Sequence, residues 1–264
     1  MLVSEVMLQQ TQASRVEPAF VAFLGRFPDV SALARASRAD AVRAWSGLGY
    51  NRRAVALQEA ARAIVREHAG RVPRDPAALR SLPGVGSYTA GAVASIAFGA
   101  VVAALDTNAR RIVARVAFGG EPDETTPRTL ADEAQAWVDP GAPGDWNQAL
   151  MDLGREICRP APRCEVCPLA QWCRFLGAGR TGRPSGRRQP AFEGSRRQAR
   201  GRIVALLREG PVRLVDLPDR AGLDQALARE ALDALAREGL VRITGRRAML
   251  AEDPPFPRIP GPAS

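Results

Sequence analysis

No lysine occurs in the 264 residues, and histidine occurs once, at position 68. The first absence excludes a lysine Schiff base and a phosphate loop of the lysine-bearing kind. The second leaves a Ser-His-Asp triad only His68 to work with, and that residue sits in a charged helical run with Arg62, Arg66 and Glu67, where a surface role is expected. Aromatic residues are 5% of the chain, with tyrosine only at positions 50 and 88. The longest apolar run, residues 92–105, is 14 residues, short of the roughly 18 to 20 that span a bilayer. No signal-peptide pattern opens the sequence. These absences describe a soluble, cytoplasmic protein of bacterial type with no membrane partner.

What is abundant is alanine, leucine and arginine, which favour helix. The length suffices for one large domain or two smaller ones. Net charge is +9, distributed as +2 over residues 1–175, +7 over 180–202 and zero over 203–264. The excess therefore falls in a Gly, Pro, Ser and Arg-rich stretch that reads as a basic linker, residues 176–202. Arginines there suit a polyanion, because they release counterions from phosphates.

Residues 82–91, LPGVGSYTAG, form a turn between two helical patterns, followed by Asp106 in LDTNARR. Two glycines two apart, Gly84 and Gly86, permit backbone angles closed to other residues. The turn opens an apolar run from Thr89 to Phe98, so its free N–H groups suit a phosphate. The plain alternative is a Pro-Gly turn joining two core helices. Asp106, directly before a helical run, reads equally as an N-cap.

Ahead of this turn, MLVSEVMLQQTQ places Val3, Val6, Met7 and Gln10 at helical spacing, with Glu5 among apolar neighbours. A buried Glu5 would resist ionisation and gain the pKa of a general acid; pointing to solvent, it would be ordinary. Further helices are expected at about 16–24, 30–36, 38–45, 52–68, 128–137 and 146–158, with a Gly-Leu-Gly-Tyr loop ending at Tyr50. Beyond the linker, three helices at about 203–208, 214–221 and 226–238 and a hairpin over 240–250 suggest a small winged-helix-like module over 203–251. The proline-rich tail, 252–264, reads as disordered.

Cys158, Cys164, Cys167 and Cys173 are all the cysteines and fall within sixteen residues. Four clustered thiols in a reducing compartment point to a metal, either an iron–sulfur cluster or structural zinc.

Taken together, SEVMLQQTQ, LPGVGSYTAG, LDTNARR, NQALMDLG at 147–154 and the four cysteines resemble the MutY-type adenine DNA glycosylases of the helix-hairpin-helix, endonuclease III superfamily, over about residues 1–175. The resemblance implies an all-α, two-lobed helix-hairpin-helix glycosylase domain that grips mismatched double-stranded DNA as a monomer. It implies a [4Fe-4S] cluster on Cys158, Cys164, Cys167 and Cys173, zinc being the lesser alternative, and removal of adenine opposite 8-oxoguanine or guanine. Residue by residue, Glu5 matches the general acid, Asp106 the carboxylate facing the sugar, Tyr88 the assisting tyrosine and Asn108 an active-site asparagine. Gln10 and Tyr50 match residues that wedge into the duplex, and Gln148 matches a contact to the flipped adenine. Leu82, Gly84, Val85 and Gly86 match the backbone clamp.

In relatives resembling endonuclease III the position of Tyr88 carries a nucleophilic lysine, so tyrosine here implies a monofunctional enzyme. The family carries a further helix ahead of the stretch matching Glu5, whereas this chain starts four residues before it. The first cysteine gap is five residues where six is usual. Residues 203–250 do not resemble the Nudix-like domain that many members use to sense the opposite base. Two alternatives stand beside the leading reading: a glycosylase for thymine or uracil opposite guanine, and a non-catalytic iron–sulfur DNA-binding protein.

Overall fold

The computed structural model describes residues 1–182 and 191–252. In chain order the helices are α1 (Leu2–Leu8), α2 (Ala13–Arg26), α3 (Val30–Arg35), α4 (Arg38–Ala44), α5 (Arg52–Glu67), α6 (Pro76–Arg80), α7 (Ser87–Ala92), α8 (Thr107–Val113), α9 (Pro127–Trp137), α10 (Pro143–Glu156) and α11 (Arg174–Gly177). Then follow α12 (Arg196–Glu209), strand β1 (Val212–Arg213), α13 (Leu217–Ala221), α14 (Gln225–Arg237), β2 (Val241–Thr244) and β3 (Arg247–Leu250). Both α7 and α8 run on into five residues of wider π-helical turns, Val93–Ala97 and Ala114–Phe118. Such turns are frequent at functional sites. No described helix is long and apolar enough to cross a membrane.

The chain forms two compact units, and α1 crosses the division between Glu5 and Val6. Among the described residues, the first unit holds 1–5, 73–81 and 85–182. Its core is built where the apolar face of α8 (Ala109, Ile112, Val113) meets Leu130 and Ala134 of α9 and Leu150 of α10. Asp106 caps α8, Thr126 caps α9 and Asp75 caps α6, each accepting a backbone N–H of the first turn, which fixes where these helices begin.

Among the described residues, the second unit holds 6–72, 82–84 and 191–252. Trp45, fully buried at the end of α4, meets Phe23 of α2 edge to face at 5.8 Å and donates from its indole N–H to Gly49 O at 3.1 Å. The amphipathic α5 buries Leu57, Ala60, Ala61 and Ile64 on one side. His68 ends α5, half-buried, its backbone N–H on Ile64 O.

The carboxy-terminal elements belong to this second unit. Helices α12 and α14 pack through Ala199, Ile203 and Leu207 against Ala228, Leu232 and Leu235. The sheet is antiparallel in the order β1-β3-β2, so the expected hairpin gains a short third strand. The stretch read as linker also contains structure: α12 starts at Arg196, seven residues before the expected helix, because Ser195 caps it by accepting from Gln198 N. Composition alone hid this start, as α12 opens with Arg196-Arg197-Gln198. Residues 183–190 of the expected linker and 253–264 of the expected tail lie outside the described residues.

Candidate active site

Glu5 is on α1 and only 7% exposed. Burial raises its carboxyl pKa, against smaller lowering effects from a hydrogen bond with Tyr88 and from the chain's amino terminus. Its Oε2 is buried and has no hydrogen-bond partner among the described residues. A buried carboxyl with one unpaired oxygen is costly unless it is protonated or meets a ligand. Tyr88, on the first turn of α7, is half-buried and its hydroxyl lies 3.3 Å from Met151 Sδ. Burial, then the charge of Glu5 and its hydrogen bond, then the charge of Asp106, all push the Tyr88 phenol up. The phenol is thereby held neutral beside both carboxyls.

Asp106 performs the N-cap role expected of it: Oδ1 accepts from Ala109 N at 2.6 Å. Its second oxygen accepts from Asn108 Nδ2 at 3.0 Å. Asn108 in turn accepts from Arg111 Nη2 at 2.8 Å, and Arg111 reaches Gly154 O at 2.7 Å and Cys158 O at 2.6 Å. A continuous hydrogen-bonded chain thus runs from Asp106 to the first cysteine. α10 can approach this closely only because Gly154 has no side chain, since a Cβ there would stand 2.6 Å from Asn108 Cβ and 3.1 to 3.2 Å from its backbone.

Gln148 is exposed on α10. Its neighbour Asn147 is fully buried and ties the helix down, accepting from Ala104 N at 2.7 Å and donating to Val102 O and Pro143 O, both at 2.9 Å.

The four thiols line one small cavity with Arg115 and Phe175. Arg115, buried, pairs with Glu121 at 2.8 Å and donates to Arg159 O, Pro160 O and, at 3.7 Å, Cys158 Sγ. Burial pushes the Cys158 thiol up while Arg115 and Arg111 pull it down. No three Cys, His, Asp or Glu side chains among the described residues are grouped as ligands of a single ion.

In the second unit, Gln10 and Tyr50 are both exposed and both take left-handed backbone angles, φ +57° and +44°. Side chains rarely adopt such angles. Helical spacing put Gln10 on α1, but the helix stops at Leu8. The reason is Arg53, whose guanidinium collects Val6 O and Met7 O from the last turn of α1, Gln9 O and the Thr11 hydroxyl from the turn after it, and Leu48 O and Gly49 O from the loop before α5. It also stacks near Trp45 (5.4 Å) and Tyr50 (5.6 Å).

Of the two turn glycines only Gly84 needs to be glycine: its φ is +76° and a Cβ would fall 2.7 Å from Ala56 Cβ. Gly86 has an ordinary extended conformation with open space around it, and it leaves the start of α7 without a side-chain cap. Leu82 and Val85 are buried, so the turn presents backbone rather than side chains.

Residues 3–140 match the HhH-GPD superfamily base excision DNA repair protein family. The chain is 42% identical to an adenine DNA glycosylase of Mycolicibacterium smegmatis over 95% of its own length and 87% of that protein. It is 43% identical to an adenine DNA glycosylase of Mycobacterium tuberculosis over 95% and 85%. The chain belongs to this superfamily and to its adenine DNA glycosylase family. A solved thermostable thymine-DNA glycosylase is similar in fold, with a TM-score of 0.63 and 32% identity over 67% of this chain and 83% of that one.

Within this HhH-GPD chain, Glu5, Tyr88, Asp106 and Asn108 fall together in one unit, while Gln10 and Tyr50 are brought together by Arg53 in the other. Arg53, Arg111 and Gly154 were not singled out from the sequence of this glycosylase-family protein. Arginines occur throughout it, and no local pattern marks those that collect carbonyls.

Proposed function

We propose that the protein is a monofunctional DNA glycosylase that excises adenine mispaired with 8-oxoguanine or guanine in double-stranded DNA. The observation that carries this reading is the buried Glu5 carboxyl, raised in pKa, with Oε2 unpartnered beside a neutral Tyr88. The names of these curated relatives support the adenine substrate.

A base inside a duplex must first be flipped out, which costs a few kcal/mol and least for a mispair. Gln10 and Tyr50 fill the gap that the flipped base leaves, and their exposed, left-handed loops suit that wedge. The Gly84 to Gly86 turn, with Leu82 and Val85 anchoring it, grips a backbone phosphate through bare N–H groups. Gln148, exposed on α10, contacts the adenine edge.

Glu5 then gives its proton to a ring nitrogen of adenine. The bond from sugar to base breaks with its electron pair leaving on the base, and Asp106 stabilises the cationic sugar from its fixed place at the start of α8. Asn108 holds Asp106 in that orientation. Water adds to the sugar carbon and releases a proton, leaving an abasic site in an intact strand. The resemblance matches Tyr88 to the position where lyase-active relatives carry lysine, and the chain has no lysine to replace it.

Four cysteine thiols around one cavity suit the [4Fe-4S] cluster that the resemblance implies, with zinc the alternative. Cys158, Cys164, Cys167 and Cys173 would hold it, and when bound it supplies structural support to the loop after α10. Colour and equal iron and sulfide content in the purified protein check this; zinc without iron overturns it.

The order α12-β1-α13-α14-β2-β3 supports a winged-helix-like module over 203–251 after a glycosylase domain over 1–175. We read the protein as a cytoplasmic, nucleoid-associated monomer. The deciding experiment measures base release from duplexes with A opposite 8-oxoguanine, A opposite G, T opposite G and U opposite G. Release of thymine and not adenine would transfer the reading to the thymine-DNA glycosylase that the fold also resembles.

A further inference from the structure

The carboxy-terminal module carries as many acidic as basic residues over 203–264, yet its two faces are opposite in charge. Strand register decides this. Val212, Ala248 and Ile243 pair across the three strands on one side, with Val241 and Leu250 beside them, and all but Ile243 are buried. On the other side Arg213 of β1 stands directly opposite Arg247 of β3, which is opposite Thr244 of β2, and Arg242 of β2 is opposite Met249. Arg246, in the turn between β2 and β3, adds a fourth arginine. All four are exposed.

Like charges directly opposite on paired strands destabilise a sheet, so this register works against the stability of the module. Relief is slight. Arg213 is paired with Asp216 at 3.0 Å, and Arg242 has among the described residues no carboxylate partner, donating to Met249 Sδ at 3.8 Å. Arg246 and Arg247 have no carboxylate partner among the described residues. Four arginines therefore share one carboxylate.

The groove beside α14 has the opposite character. Asp219, Asp224 and Asp233 line it against a single arginine, Arg229. A polyanion meets repulsion there and attraction on the sheet.

The module is also held firmly on the helical part of its unit. Arg208 of α12 donates to Val42 O at 3.1 Å, Trp45 O at 3.4 Å and Asn51 Oδ1 at 2.9 Å. Arg38 of α4 donates to Gly239 O at 3.0 Å. A face fixed in this way meets a ligand without first having to be ordered.

We propose that the outer face of this sheet, formed by Arg213, Arg242 and Arg247, together with Arg246 in the adjoining turn, is a second contact for double-stranded DNA. It binds the phosphate backbone without reading bases, and it is separate from the hairpin turn at Gly84.

The test uses the full chain and an undamaged duplex, with affinity measured by fluorescence anisotropy across a salt series. Replacing Arg242, Arg246 and Arg247 together by glutamine should flatten the plot of log affinity against log salt by about three contacts' worth, each contact contributing a slope of about 0.9. The melting temperature of the variant should equal or exceed that of the parent, because the cross-strand repulsion is gone. Lysine at the same three positions should restore the parent slope. An unchanged slope in the glutamine variant overturns the proposal. So does a lowered melting temperature with no slope change, which would assign the arginines to folding.

Discussion

Asn108 is fixed at both ends of its amide: Nδ2 donates to Asp106 Oδ2 at 3.0 Å, and Oδ1 accepts from Arg111 at 2.8 Å. The amide cannot flip without placing donor against donor at Arg111 and acceptor against acceptor at Asp106. One carboxylate oxygen is thus held by the helix and the other by a side chain that is itself held.

Asp106→Asn should separate the capping role from the chemical one. The amide oxygen keeps the bond from Ala109 N, but the amide nitrogen then faces Asn108 Nδ2. A cost of about 1–2 kcal/mol in folding stability is expected from that one mismatched contact. Adenine release should fall far more than this cost explains. Single-turnover rates on folded, DNA-bound variant measure it, and a rate near the parent's would leave Asp106 as an N-cap alone.

Glu5→Gln should abolish most excision, a loss of roughly 10²- to 10⁴-fold for a general acid, while changing stability in the opposite direction. The folded state holds the Glu5 proton more tightly than the unfolded chain does, because burial raises this carboxyl from 4.5. Its contribution to stability is therefore complete below the unfolded value and is lost as pH rises through the raised folded value. Melting curves of parent and variant should diverge over that rise, with the glutamine variant the more stable at neutral pH. Parallel curves would mean that Glu5 titrates normally.

Borohydride should trap little or no covalent complex between the parent and DNA, and product strands should break only after alkali. Tyr88→Lys places an amine beside Glu5 and within the influence of Asp106, so some trapping should appear in that variant. Efficient trapping by the parent would contradict the monofunctional reading.

Arg53→Met should disturb Gln10 and Tyr50 together. Several loop carbonyls lose their donor at once, so stability should fall, by about 1–3 kcal/mol for each carbonyl left buried and unpaired. Excision of adenine from a mispair should fall in folded protein. Adenine opposite an abasic site, which has no partner base to displace, should be released at closer to the parent rate. Arg53→Lys should rescue poorly, since a point charge cannot reach the acceptors that a planar fork spans. Equal losses on both substrates would show that Arg53 does not act through the two loops.

The sequence by itself determined the lysine-free chemistry, the order of the motifs, the cysteine cluster and most helix positions. Each of these is local: a spacing, a missing residue type, a cap such as Asp106 one residue before its helix. The turn was legible for the same reason, although only Gly84 proved to need its glycine and Gly86 did not. Tertiary structure alone decided whether Glu5 is buried, that its partner is Tyr88, that Arg111 bridges Asn108 to the cysteine loop and that Gly154 lets α10 close on Asn108. It also ended α1 at Leu8 by giving its last carbonyls to Arg53, which periodicity could not foresee. The charge of the carboxy-terminal module was neutral as a sum and became two opposed faces only once strand register was set. Burial, register and hydrogen bonds between distant residues depend on which surfaces meet, and no window along the chain contains both partners.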